Sequence, residues 1–188
     1  METACEIMRF KLAICAFVVG TAATAASANA ADFYASAGVS SFDSEQPGAK
    51  LAAIQGRVGA KFLPYLGVEA EAGTGISSDT WHLLYAPYLG TVKTELNYQV
   101  AGYVVGTLPV STKAELFARV GYGKAKFDQD VLMDGQGGSS SVSRDGWAFG
   151  AGAQYFFDGK SGVRLDYTRH EVDEGHIDAW SAGFVHRF

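Results

Sequence analysis

Ile177-Asp178-Ala179-Trp180-Ser181-Ala182-Gly183-Phe184-Val185-His186-Arg187-Phe188, the last stretch of the chain, decides how the rest is read. Stepping back in twos from the end gives Phe188, His186, Phe184, Ala182 and Trp180. The residues between them are Arg187, Val185, Gly183, Ser181 and Ala179. Side chains that alternate with a period of two belong to a β-strand. This strand has an aromatic-rich face and a smaller, more polar one, and it ends on an aromatic residue.

The opposite end of the chain reads as a leader. Arg9 and Lys11 precede the apolar run Leu12 to Gly20, and small residues follow to Ala28-Asn29-Ala30. That order is the pattern of a secretory signal peptide, so residues 1–30 are expected to be cleaved, leaving residues 31–188 as one domain. The run is shorter than the roughly 20 residues a spanning helix needs. A lipoprotein leader acylated at Cys15 does not fit, because Ile14 stands where that signal takes Gly or Ala. The acidic start, Met1 to Ile7, is unusual for such a leader and leaves the initiating residue open between Met1 and Met8. Cys5 and Cys15 both leave with the leader, which excludes disulfide, thiol and Cys-ligated metal chemistry from the mature chain. The net charge of −5 is unchanged by cleavage, since Glu2 and Glu6 leave with Arg9 and Lys11. An acidic balance argues against a nucleic-acid partner.

The alternation recurs along the whole chain. A first strand over Phe33–Phe42 is followed by the turn signal Pro47-Gly48. In the second, about Ala52–Leu63, Ile54, Val58, Ala60 and Phe62 oppose Gln55, Arg57, Gly59 and Lys61. The third sets Leu66, Val68, Ala70 and Ala72 against Gly67, Glu69, Glu71 and Gly73. Residues 75–94 read as a long connection. The fourth strand, about Glu95–Gly106, alternates Leu96, Tyr98, Val100 and Val104 with Asn97, Gln99 and Tyr103. In the fifth, Leu116, Ala118, Val120 and Tyr122 oppose Glu115, Phe117, Arg119 and Gly121. The Gly- and Ser-rich segment Asp128–Asp145 reads as a loop. Trp147, Phe149, Ala151, Ala153, Tyr155 and Phe157 share one face of the sixth strand. Val163, Leu165 and Tyr167 oppose Arg164, Asp166 and Thr168 in the seventh, and the quoted stretch is the eighth.

Two barrels satisfy such alternation: a soluble one with its charged face in water, and a membrane one with its charged face inside. Three features favour the second. Arg57, Lys61, Arg119 and Arg164 balance Glu69, Glu71, Glu115 and Asp166, as a narrow closed interior demands. The same face is rich in glycine, which leaves room for long side chains to cross. Phe62, Tyr122, Trp147, Tyr155, Phe157, Trp180 and Phe188 cluster near strand ends on the other face, as interfacial girdles do.

With its cleavable leader, eight alternating strands and terminal Phe188, the chain resembles the small eight-stranded outer-membrane proteins. These are the porin-family, opacity-protein-like group and the barrels of outer-membrane proteins A and X. The resemblance implies an all-β, antiparallel, up-and-down transmembrane barrel in the cell outer membrane, without the peptidoglycan-binding module of outer-membrane protein A. It implies outer-membrane lipid and lipopolysaccharide as neighbours and a monomeric state. It also makes Trp180, Phe184 and Phe188 a signal for the barrel assembly machinery.

The expected function is non-enzymatic: an ion-paired, plugged interior carrying the loops Asp43–Lys50, Gly75–Thr94, Asp128–Asp145 and Glu171–His176 for envelope integrity or adhesion. An eight-stranded interior is only wide enough to be filled by side chains. The alternative is a narrow pore gated by the interior ion pairs. A third class is a lipopolysaccharide-modifying enzyme. A lipid A deacylase of this shape has His two residues before its nucleophilic Ser, and none of His82, His170, His176 and His186 meets that spacing. His82 with Ser77, Ser78 and Asp79 remains a spatial triad candidate, although a His in a polar loop is far more often idle. No catalytic residue, cofactor or metal is expected. Asp128, Asp130 and Asp134-Gly135 fall short of a calcium loop because Leu132 takes a ligand position and no closing Glu follows. Gly150-Ala151-Gly152 lacks the third Gly of a dinucleotide fingerprint. The acidic group Glu171, Asp173, Glu174 and Asp178 reads as a solvated loop that can share divalent cations with lipid phosphates.

Overall fold

The computed structural model describes residues 32–44, 50–85, 88–133, 136–172 and 175–188. The expected leader lies outside them. The described chain forms β1 (Asp32–Ser44), β2 (Lys50–Leu63), β3 (Leu66–Gly75), β4 (Ser78–Tyr85), β5 (Tyr88–Pro109), β6 (Ala114–Met133), β7 (Gln136–Phe156), β8 (Ser161–Val172) and β9 (Gly175–Arg187). All neighbours are antiparallel, in the order β3-β2-β1-β9-β8-β7-β6-β5-β4. The ring closes where Leu66–Gly73 of β3 pair with Gly106–Gln99 of β5. Further out, β4 takes over the same side of β5, with Ser78 opposite Glu95 and Tyr85 opposite Tyr88. β3 and β4 therefore share one of eight positions in the wall.

Proline has no N–H for a ladder, and the two prolines among the described residues sit in a turn and at a strand end: Pro64 and Pro109. The turns after Leu63, Pro109 and Phe156 are short and lie at the end that also holds Asp32 and Phe188. In the last of them, the Lys160 and Ser161 amides donate to Asp158 Oδ1 at 2.9 and 2.5 Å around Gly159, whose φ is 82°. These amide donors hold the Asp158 carboxyl below the usual carboxylate range. In outer-membrane barrels the short turns mark the periplasmic rim.

Two expectations fail at the outer end. Within residues 75–94, Ser78–Tyr85 form β4 and β5 starts at Tyr88, where an irregular connection was expected. Asp128–Met133 and Gln136–Asp145 pair as a ladder rather than forming a loop, with Asp128 opposite Ser141 and Lys124 opposite Asp145. Gly and Ser lower strand propensity but do not block pairing, and no Pro interrupts the segment. As a result β4 to β7 rise as a sheet on one side of the mouth. Leu96 is also misplaced by simple alternation. The register of β5 shifts between Leu96 and Tyr98, and this bulge turns Leu96 inward to 1 % exposure while Asn97 and Tyr98 face out.

Elsewhere the expected faces are observed. Val68, Val100, Val104, Val120, Phe149, Val163, Leu165, Trp180 and Phe184 are all exposed on the outside of the wall. Trp147 packs edge-on against Tyr122 at 5.8 Å, and Tyr155 against Phe157 at 5.8 Å. Trp147 and Phe157 are ten residues apart in sequence. At about 3.4 Å per residue and a tilt near 40°, they bound an apolar band of about 25 Å, the height of a barrel's lipid-facing belt.

Glycines on the inner face admit the core. A Cβ on Gly152 would lie 2.6 Å from Phe117 Cζ and 2.6 Å from Asp166 Cβ, whereas one on lipid-facing Gly102 would meet nothing within 4 Å. Gly152→Val is therefore expected to lower sharply the fraction of protein that refolds in detergent to the heat-modifiable form on gels, and Gly102→Ala to leave it unchanged. Equal refolding of the two variants would contradict this packing.

Candidate functional site

The inward-facing side chains stack in three layers. The middle layer is ionic. On β2, Arg57 Nε donates to Glu71 Oε2 at 2.6 Å, and its Nη atoms reach Asp166 at 2.9 and 3.1 Å and Ser181 Oγ at 3.3 Å. Arg119, from β6, reaches Glu69 and Glu71 at 2.9 Å with Nη1, and Asp166 at 2.9 Å and Thr168 Oγ1 at 2.6 Å with Nη2. Arg164, from β8, donates to both oxygens of Glu69 at 2.6 and 3.2 Å and lies 3.4 Å from Asp166. Three arginines thus meet three carboxylates from four strands, and all six residues are at most 5 % exposed.

Alternation places these groups. Arg57 stands directly across the ladder from Glu71, while Asp166 stands across from Gly152 and Arg119 from Gly150, so the latter two project over a neighbour without a side chain. Neutral and aromatic partners complete the layer. Tyr34 OH donates to Glu69 at 2.8 Å, and its ring occupies the space a Cβ on Gly59 would fill. Gln99 Nε2 donates to Glu71 at 3.3 Å. The Arg119 guanidinium lies 4.3 Å from the Tyr103 ring and that of Arg164 4.0 Å from the Phe117 ring. Balanced charge, bidentate geometry and these secondary partners are what a desolvated ion-pair group needs to be tolerated.

Toward the outer mouth the inner face becomes apolar. On β2 the sequence Gln55, Ala53, Leu51 leaves the ionic layer; Ala125 and Phe127 on β6, and Ala179 and Ile177 on β9, do the same. With Phe42 and Leu96 they form one cluster above the ions. A lid of this kind keeps water from the charges and strengthens their attraction. Toward the periplasm, Lys61 Nζ donates to Glu115 Oε2 at 2.8 Å and Gln154 Nε2 to the same oxygen at 2.7 Å. Arg187 Nη2 lies 2.5 Å from that oxygen.

The eight residues singled out in the sequence therefore fall into two groups, six in the middle layer and Lys61 with Glu115 below. Arg187, Tyr34, Gln99, Gln154, Thr168 and Ser181 also take part. Their inward parity was visible in the sequence, but not their partners, which lie across the barrel. Trp180, Phe184 and Phe188 all face outward. The outer hairpins hold a second set of contacts. Asn97 and Ser141 donate to Asp128 at 2.7 and 2.8 Å, and Arg169 and Tyr167 donate to Asp178 at 2.8 and 2.7 Å. Ser77 Oγ accepts from the Ala52 amide at 2.7 Å and Asp79 Oδ2 from the Lys50 amide at 3.0 Å. Both are thus engaged in capping β2. The side chain of His82, with Asp134, Asp173 and Glu174, lies outside the described residues. Gly150-Ala151-Gly152 is part of β7.

Comparison with known proteins agrees with this architecture. The family described as outer membrane protein beta-barrel domain matches residues 12–188. No functionally curated protein matches the chain in sequence. Among solved structures, the attachment invasion locus protein Ail of Yersinia pestis, in complex with the heparin analogue sucrose octasulfate, aligns with a TM-score of 0.59 at 19 % identity, covering 84 % of this chain and 99 % of Ail. OprG of Pseudomonas aeruginosa aligns at 0.59 and 13 % identity, covering 85 % and 96 %. Neisserial surface protein A aligns at 0.52 and 14 % identity, covering 85 % and 98 %. At such identities the likeness is one of fold. The chain belongs to the outer-membrane protein β-barrel family, and its place is the outer membrane.

Proposed function

We propose that this protein is a non-enzymatic surface barrel whose lumen is closed to solutes and whose outer sheet, β4 to β7, is its interaction surface in envelope integrity or adhesion. What supports closure is the unbroken run of contacts from Arg57 through Asp166 and Arg119 to Glu69 and Arg164, which crosses the lumen under an apolar lid. What supports display is the height of the β5–β6 and β6–β7 ladders beyond the Tyr122–Trp147 girdle. The sheet carries Lys93, Lys124, Lys126 and Arg144 beside Asp79, Glu95, Asp128, Asp130 and Asp145. That mixture does not favour a polyanion such as the heparin analogue bound by Ail. Lipid and lipopolysaccharide surround the wall, and an enzymatic role has little support, since Ser77 and Asp79 already cap β2.

A narrow gated pore is the second reading. It is favoured by one observation: Glu69, Glu71 and Asp166 each face more than one arginine, so the pairs can exchange. In planar bilayers the purified protein is expected to give no steady open-channel steps of porin size. Arg119→Ala is expected to cost about 3–5 kcal/mol, read from the urea midpoint in detergent, because it strands buried carboxylates. Regular steps in the unaltered protein, or a conductance that rises in Arg119→Ala without loss of stability, would favour the pore.

The outward Trp180, Phe184 and Phe188 serve as the assembly signal on this reading. Phe188→Ala should then leave refolding in detergent intact while reducing the heat-modifiable form in cellular outer membranes several-fold. Normal cellular assembly of that variant would remove the role.

A further inference from the structure

Between the ionic layer and the apolar lid stands one titratable side chain that takes no part in either. His170 is the next inward residue of β8 above Thr168, whose Oγ1 receives Arg119, and it sits on the last rung of the β7–β8 ladder, opposite Ala148. Beyond that rung β7 pairs only with β6. The imidazole is half-buried and makes no hydrogen bond or ion pair with any described residue. It lines a cavity of about 40 Å³, together with Glu71, Gln99, Phe42, Leu96 and Phe127. That is room for about three waters.

The carboxylates that face the ring are already engaged. Glu71 of β3 holds Arg57 of β2 and Arg119 of β6, and Asp178 of β9 holds Arg169 of β8, with His176 of β9 at 3.9 Å. Toward the outer mouth the cavity meets Lys124 of β6 and Arg144 and Asp145 of β7, and Asp145 accepts from Tyr122. A neutral imidazole leaves the ionic layer at three arginines against three carboxylates. A proton on it adds a fourth cation under an apolar lid, where an unpaired charge is costly. We propose that His170 is a proton-operated latch on the lid: neutral, it lies beneath the closed lid, and protonated, it draws water into the cavity and shifts the outer half of the lumen to an open, hydrated state. Protonation is easier where water reaches the ring, so acid favours the open state and the lid re-forms as pH rises. The latch rests on the closed lumen of the proposed function, acts above the ionic layer and needs no ion pair to break.

The test is a side-chain and amide NMR titration of the full barrel in maltoside micelles from about pH 8 to about pH 5, which spans the ordinary imidazole range. The His170 ring is expected to titrate, and the lid amides of Ala53, Leu96 and Ala179 to move with the same midpoint. A second readout is the reaction of Ala179→Cys with a water-soluble methanethiosulfonate, its rate divided at each pH by that of the exposed Ser139→Cys. That ratio should rise as pH falls, by up to about tenfold per pH unit, the limit for one linked proton. His170→Gln is expected to abolish the rise and His176→Gln to keep it. A His170 ring that stays neutral throughout, lid amides that stay fixed while it titrates, or a rise that survives His170→Gln would overturn the latch. The titration of the unaltered protein decides the matter even if a variant fails to fold. Porin-size channel steps at neutral pH would instead sink the closed lumen itself, a failure told apart by its independence of pH.

Discussion

Hydrocarbon offers no partner to a backbone N–H or C=O, and that constraint governs this molecule. A sheet placed in it has to close on itself, and here closure rests on the pairing of β3 with β5. Closure leaves two surfaces with opposite demands. The outer one must be apolar, so the outward residues are mostly Val, Leu, Ala and aromatic side chains. The inner one is too narrow for bulk water, so its charges must find each other. The alternation in the sequence satisfies both demands at once.

The interior is organised by depth rather than filled uniformly. An apolar lid of Phe42, Leu51, Leu96 and Phe127 separates the outer mouth from three arginines and three carboxylates, and a smaller group in which Lys61, Arg187 and Gln154 meet Glu115 faces the periplasm. The lid and the ions depend on one another: without the lid, water would screen the pairs, and without balanced pairs, the arginines would be stranded in a poorly hydrated space. Glycine makes the arrangement geometrically possible, since Tyr34 and Phe117 lie where side chains on Gly59 and Gly152 would be.

Much of this was legible in the sequence because a strand's parity is a local property. Arg57, Arg119 and Arg164 could be assigned to the inner face, and Val120 and Leu165 to the outer, from their neighbours alone. Which carboxylate meets which arginine was not legible, since Arg57 and Asp166 come together only when the ring closes. Leu96 escaped because a bulge reverses parity at Asn97 without a residue signature. The tall hairpins escaped because Gly and Ser between Gln136 and Gly146 resemble a loop, although a ladder already formed on β6 offers them a template. The apolar lid follows from the same shift, as Leu96 joins it only after the bulge.

The account stands or falls on the polarity of the wall. Single spin labels at Val120→Cys, Leu165→Cys and Ser181→Cys in the barrel reconstituted into bilayers test it most directly, with collision rates measured against oxygen and a water-soluble nickel chelate. The account predicts strong oxygen contact and negligible chelate contact at positions 120 and 165, and a label at 181 that is immobile and sheltered from both. Chelate contact at 120 and 165 together with oxygen contact at 181 would contradict it.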